Sequence, residues 1–300
     1  MSLFVVLVEL VLSLLCVMLS VAYFSLFERK LLGIVHYRLG PSKVGMVGMF
    51  QPFSDAIKLG SKSISFPNWS KGSLYVVGAF MMMIVHLMCW VVFPFEYSEV
   101  GLDYSGLVVL LLLSVSIYGV LFTGWFANSK YTIMGAVRSV SLAMAFEIPQ
   151  AMCLFCSFLA VQSVCLWEVM KFQMGVWLGV PLVMVLVVFF CCCIAESGRS
   201  PFDVGESESE LVSGYTTEYG GMSYVVVFLS ENMSVLFGSA LINILFLGDL
   251  NPLKITLTVS LMVIVRSVVP RLRFDAIMSL CWFSVVPTTV VLVWMSAVCL

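Results

Sequence analysis

The sequence predicts an all-α integral membrane protein of about eight transmembrane helices, with an amphipathic interfacial helix in the first loop. Three observations predict it. Hydrophobic residues fill 61% of the 300 positions and charged residues only 11%, against about 45–50% and about 25% in an ordinary soluble domain. A chain this apolar cannot wrap a core in a polar shell. Its apolar residues fall into runs near the ~20 residues that cross the hydrocarbon layer as a helix. Its Lys and Arg cluster on one side of those runs, as the positive-inside rule expects.

The runs are 3–27, 73–95, 106–127, 138–160, 176–195, 223–247, 254–269 and 276–299. The seventh is short before Pro270, and Pro181 and Pro287 fall within runs, which is tolerated where neighbouring helices re-satisfy the backbone. Together 1–300 reads as one membrane domain with two distinctive loops, 28–72 and 196–222. Of the 15 Lys and Arg, 13 lie after runs 1, 3, 5 and 7, leaving Lys171 and Lys254 opposite. The basic side is therefore a cytoplasm or a mitochondrial matrix, and both termini face away from it. The first residues, MSLFVVLVELVLSLL, have no basic n-region and no Arg/Ser-rich presequence, so neither cleavage nor import is expected.

Within loop 28–72, Met46, Met49/Phe50, Phe53 and Ile57 recur every three or four residues, with Asp55 and Lys58 off that stripe. This pattern predicts a helix lying in the interface. It anchors the loop, or frames an opening for an amphiphile entering from lipid. Loop 196–222 crowds Asp203, Glu206, Glu208, Glu210 and Glu218 onto the basic side, against the charge trend of that face. The first loop carries Arg29, Lys30, Arg38, Lys43, Lys58 and Lys62. Two loops of opposite sign on one face can pair or share a cavity.

Two acids fall inside runs, Glu147 in the fourth and Glu231 in the sixth. A mid-bilayer charge costs about 2.5–3.5 kcal/mol on insertion scales, so each must face protein or water. Glu231 sits about 13 Å into its helix at 1.5 Å per residue. With Glu196 at the positive end of the fifth run, Glu208/Glu210, Glu196, Glu147 and Glu231 form a candidate row of carboxylates toward the midplane. Neighbouring buried acids titrate as one system, which suits proton relay; the alternative is that each acid pairs with one Arg and only holds helices together. Glu9, near a span end, reads as structural. His86 is expected to be a buried, satisfied core histidine. Cys191-Cys192-Cys193 and Cys153/Cys156 lie in apolar runs, where Cys behaves as a small hydrophobe, and no metal site is expected. There is no GxGxxG opening a βαβ unit and no P-loop.

Several motifs resemble one family. They are Glu28-Arg29-Lys30; Arg38-Leu39-Gly40-Pro41 with Lys43-Val44-Gly45; Gln51-Pro52-Phe53 with Asp55 and Lys58-Leu59; the run from Glu196 through Arg199, Phe202 and Asp203 to Gly214; and Arg266 with Pro270-Arg271-Leu272-Arg273-Phe274-Asp275. Over essentially its whole length the chain resembles the chain 1 family of membrane subunits of respiratory complex I (NADH:ubiquinone oxidoreductase), in its mitochondrial form.

The resemblance implies an eight-helix subunit of a proton-translocating NADH:ubiquinone reductase, inactive alone, in the mitochondrial inner membrane. Its basic loops would face the matrix and both termini the intermembrane side. It implies that the chain forms much of the ubiquinone chamber, with ubiquinone as substrate, while FMN, iron–sulfur clusters and haem belong to other chains. The implied partners are the peripheral quinone-site subunits, small neighbouring membrane subunits and lipid, with no nucleic acid. It implies a proton path through Glu147, Glu196, Glu206, Glu208, Glu210 and Glu231. Arg29, Arg38, Asp55, Arg199, Phe202, Asp203, Arg266, Arg271 and Arg273 would serve the chamber and its loop contacts. Relatives often read Ala-Gln before Ser-Tyr-Glu, where this chain has Ser141-Leu142 and Ala145-Phe146-Glu147. Two polar neighbours of Glu147 are thus replaced. The competing classes are an ion-coupled secondary transporter, in which buried acids accompany broken midplane helices, the membrane subunit of a hydrogenase-like complex, and a purely structural anchor.

Overall fold

A computed structural model describes residues 3–63, 67, 70, 72–94, 103–173, 175–203, 205 and 214–299. All eight expected runs are helical: α1 Leu3–Val35, α3 Ser73–Val91, α4 Ser105–Ala127, α5 Lys130–Val161, α7 Val183–Glu196, α8 Met222–Ile242, α9 Pro252–Val268 and the pair α10 Phe274–Leu280 with α11 Val286–Cys299. Among the described residues there is no strand. Six of the eight are long and apolar enough to cross a membrane, while α7 and α9 span 14 and 17 residues. The interfacial helix is present as α2 Gln51–Gly60, preceded by a 3₁₀ turn at Met46–Gly48. Met46, Met49, Phe50, Phe53 and Ile57 are all exposed along it. Phe53 meets Tyr23 of α1 edge-on at 6.1 Å, which ties the apolar stripe to the first span.

Small residues set the spacing of the bundle, as expected where helices have no hydrophobic drive toward each other in lipid. A Cβ on Gly78 of α3 would meet the Thr123 backbone of α4 at 3.1 Å, and one on Gly124 of α4 would meet Ala136 of α5 at 2.1 Å. The turn between α4 and α5 is two residues long. Asn128 ends α4 in the left-handed region, and Ser129 caps α5 in a reciprocal capping box with Thr132. Helix α8 is the most buried span and lies at the centre, with α1 and the last span peripheral.

The fifth run is the clearest departure from expectation. Helix begins at Val183 rather than 176, because Gly175, Gly179 and Pro181 precede it in turns. Proline lacks the N–H that would continue a helix, and glycine loses the most freedom in one. Gly179 instead donates its N–H to the Phe246 carbonyl at 2.9 Å.

That contact lands on a second departure, a π-helical stretch, Asn243–Leu247, ending the sixth span. The side chain of Gln173, beyond the short helix α6 Leu166–Phe172, donates to the Ile244 and Leu245 carbonyls at 2.8 and 3.2 Å. A widened turn leaves carbonyls without their usual donors, and in an apolar medium each must find another.

A third departure follows the same logic. Pro149 lies inside α5 and removes the donor for the Ala145 carbonyl four residues back. Cys281, which opens a π-helical stretch Cys281–Val285 in the last span, places its thiol 3.2 Å from that carbonyl and donates to it.

Candidate functional site

The acidic loop returns to the bundle through close backbone contact with α5. A Cβ on Gly135 would meet the Tyr215 nitrogen at 2.7 Å and the Gly214 backbone at 2.9 Å, and one on Gly205 would meet Ser139 at 2.9 Å. The 3₁₀ turn Gly214–Thr216 therefore lies flat on α5, with Tyr215 buried behind it. Beyond it Tyr219 stacks on Tyr75 of α3 at 4.3 Å. The Tyr219 hydroxyl donates to the Tyr75 and Thr123 carbonyls, and Tyr75 donates to the Glu218 carbonyl at 2.7 Å. Burial pushes the Tyr219 phenol pKa up, so it stays a donor.

Behind Gly205 and Tyr215 lies a cavity of about 90 Å³ into which Glu147, Glu196 and Glu231 all open, with His86, Gln150 and Tyr215 in its wall. At about 30 Å³ per water that is room for roughly three waters. Gln150 donates to Glu196 at 2.8 Å. The Tyr215 hydroxyl donates to Glu231. The three carboxyls come from α5, α7 and α8, so no single helix carries the row. Leu142 faces the same space, and Phe146 is buried against Phe202 at 5.5 Å.

Glu231 also belongs to a chain of charges leading away from the cavity. Arg199 lies 3.8 Å from Glu231 and 3.9 Å from Glu28, and donates to the Asn232 side chain at 2.8 Å. Glu28 in turn accepts from Arg266. Side-chain exposure is only 10% for Glu28, 12% for Glu231 and 14% for Arg199. Arg199 reaches this position because Gly198 takes a left-handed φ of 61° directly after α7 and turns the chain back over the bundle. Its guanidinium sits 5.7 Å from the Phe228 ring, a cation–π contact in a partly desolvated place.

Of the remaining predicted residues, Phe202 and Asp203 are buried and Arg29, Arg38, Asp55, Arg271 and Arg273 sit nearer the surface. Asp203 accepts from Arg271 at 2.9 Å, and Leu272 donates to the Pro201 carbonyl, so the acidic loop is fastened to the segment after α9. Arg29 pairs with Asp55 of α2 at 2.8 Å. Arg38 is exposed and, with Arg29 and Lys43, lines an open groove of about 690 Å³. Arg273 pairs with Asp275 in the open, at 81% and 73% exposure. Glu206, Glu208 and Glu210 lie outside the described residues.

The described charges of the two loops are matched as follows. Arg29 is matched within its own loop and Asp203 by Arg271, while the first loop contributes an acid, Glu28, to the Arg199 side chain. Glu28, Tyr215 and Gln150 were not among the candidates. Glu28 carried a visible signal, a charged residue next to Arg29 at the end of an apolar run; Tyr215 and Gln150 carried none. Among the described residues no group of three His, Cys, Asp or Glu is arranged to hold a metal ion.

Comparison with known proteins gives one answer. A family model described as NADH dehydrogenase matches residues 8–297. The chain is 37% identical to NADH-ubiquinone oxidoreductase chain 1 of Mytilus edulis over 270 residues, covering 89% of this chain and 88% of the relative. It is likewise 37% identical to the proteins of that name from Apis mellifera ligustica, covering 92% of each, and Locusta migratoria, covering 95% of this chain and 93% of the relative.

Proposed function

The chain belongs to the NADH dehydrogenase family of NADH-ubiquinone oxidoreductase chain 1, and from that membership we propose that it is a membrane subunit of a proton-translocating NADH:ubiquinone reductase. In this reading it works in the mitochondrial inner membrane, inactive without its partners. Its basic loops face the matrix and its termini the intermembrane side. The face bearing Arg29, Arg38, Arg199, Phe202, Asp203 and Arg271 helps to form the chamber where ubiquinone, the substrate, is reduced. Arg273 meets the peripheral quinone-site subunits.

One observation carries the proton path: Glu147, Glu196 and Glu231 open into a single cavity large enough for water. Quinone reduction creates a demand for two protons at the chamber. A change of charge there is felt through Arg266, Glu28 and Arg199, which are in contact in series and end on Glu231. Glu231 then exchanges protons with Glu196 and Glu147 across the cavity, while the Tyr215 hydroxyl orients its carboxylate. Glu206, Glu208 and Glu210 extend the route toward the chamber. Moving each charge against a membrane potential costs about 2.3 kcal/mol per 100 mV, so the chain's role is to couple that movement to the redox step.

The test is Glu231→Gln in the assembled complex. Proton-coupled ubiquinone reduction falls by about 10²-fold, while NADH oxidation by an artificial electron acceptor, which needs only the upstream electron carriers, is retained. Wild-type ubiquinone turnover and pumping in the assembled variant would remove Glu231 from the mechanism.

A further inference from the structure

His86 was expected to be a satisfied core residue, and half of it is. Its Nδ1 lies 2.7 Å from the Met82 carbonyl one helical turn back. A carbonyl only accepts, so Nδ1 carries the hydrogen and Nε2 is left as the ring's acceptor. The ring itself is buried, yet it forms part of the wall of the carboxylate cavity.

The groups facing that cavity from every neighbouring element can be named. Helix α5 presents Glu147 and Gln150, α7 presents Glu196, α8 presents Glu231, and the 3₁₀ turn presents Tyr215. Helix α4 brings Ser116 to the wall but no titratable group. On the α5 side Leu142 is apolar, while α3 brings His86 to the wall. Among these groups the imidazole is the only one that is a neutral acceptor when deprotonated and changes charge near neutral pH in water.

We propose that His86 is a proton-exchanging station of the carboxylate cavity. This rests on the reading of that cavity as a proton route. Nε2 takes a proton from one carboxyl group, directly or through water, leaving a carboxylate and an imidazolium. It then returns that proton to a second carboxylate and is neutral again. Because Nδ1–H stays on the Met82 carbonyl, both transfers use the same nitrogen, and the ring need not flip. The imidazole thereby bridges acids contributed by three helices, and Gln150 fixes the orientation of one of them, Glu196.

The experiment is His86→Gln and His86→Asn in the assembled complex, beside Glu231→Gln. An Asn amide can keep the bond to the Met82 carbonyl, since Asn243 of this chain donates to the Ser239 carbonyl at the same spacing and 2.7 Å. Co-purification of this chain with the intact complex reports assembly, and artificial-acceptor reduction reports that the upstream electron carriers are intact. Both His86 variants are expected to slow ubiquinone turnover about tenfold, less than the ~10²-fold typical for a group acting directly at the reacting centre. They are also expected to remove one inflection from its pH profile. A slow variant with an unchanged profile, or an Asn variant restored to the wild-type rate, makes His86 structural and overturns the proposal. Normal His86 variants with an impaired Glu231→Gln overturn it alone; normal behaviour in all three overturns the cavity reading with it.

Discussion

The protein has two charged regions, and they are built on opposite plans. In the groove beside α2, Arg29 and Asp55 pair at 46% and 33% exposure and Arg38 stands in the open. Around the carboxylate cavity, Glu28, Arg199 and Glu231 are nearly enclosed and each touches more than one partner. An exposed pair is worth about 0–1 kcal/mol because water competes for both ions. Removing one member of a buried set costs about 3–5 kcal/mol, because the others are stranded. The comparison teaches that the groove can lose a charge and keep its shape, whereas the inner set stands or falls together.

The sharpest way to break that contrast is Arg199→Ala. It leaves Glu28 with Arg266 alone, Glu231 with only the neutral Tyr215 hydroxyl, and the Asn232 side-chain carbonyl without its Arg199 donor, so a loss of about 3–5 kcal/mol is expected, read as failed assembly or a sharply lowered Tm. An assembled Arg199→Ala complex of normal stability would show that the inner set is held by something other than its charges. Tyr215→Phe removes one hydroxyl from Glu231 and keeps the ring. A loss of about 1–3 kcal/mol is expected in thermal stability, with ubiquinone turnover falling less than in Glu231→Gln. Cys281→Ser keeps a donor for the Ala145 carbonyl and Cys281→Val does not, so the valine variant alone should lose about 1–3 kcal/mol. Smallest is Asp55→Asn, expected to shift stability by less than about 1 kcal/mol. A larger shift would mean that the groove is not a solvated surface in the assembled protein.

The positions of the spans were legible because each is a long apolar run, and a membrane leaves the backbone few other choices. What was not legible depended on partners far along the chain. The late start of α7 follows from Gly175, Gly179 and Pro181, but the turn they make is held by Gly179 reaching the Phe246 carbonyl, 67 positions away. The π-helical stretch Asn243–Leu247 and Pro149 are tolerated because Gln173 and Cys281 supply donors from other segments. Neither residue looks unusual in its own neighbourhood. The site divides the same way. Glu147 and Glu231 stand out because a charge is conspicuous in an apolar run. Their meeting with Glu196 in one cavity needs three helices to be placed. His86 was read as a buried, satisfied core histidine; its Met82 bond is the half of its surroundings that a helix supplies by itself, and the cavity on its other side was hidden.

The glycine contacts at Gly135 and Gly205 have a mechanical consequence. They clip both described ends of the acidic loop onto the one rod that also bears Glu147. A tug on that loop from an adjoining subunit would turn α5 as a lever arm rather than being absorbed by slack chain. Leverage applied at the aqueous rim can thus register at a carboxyl deep in the bundle without anything crossing the gap between them.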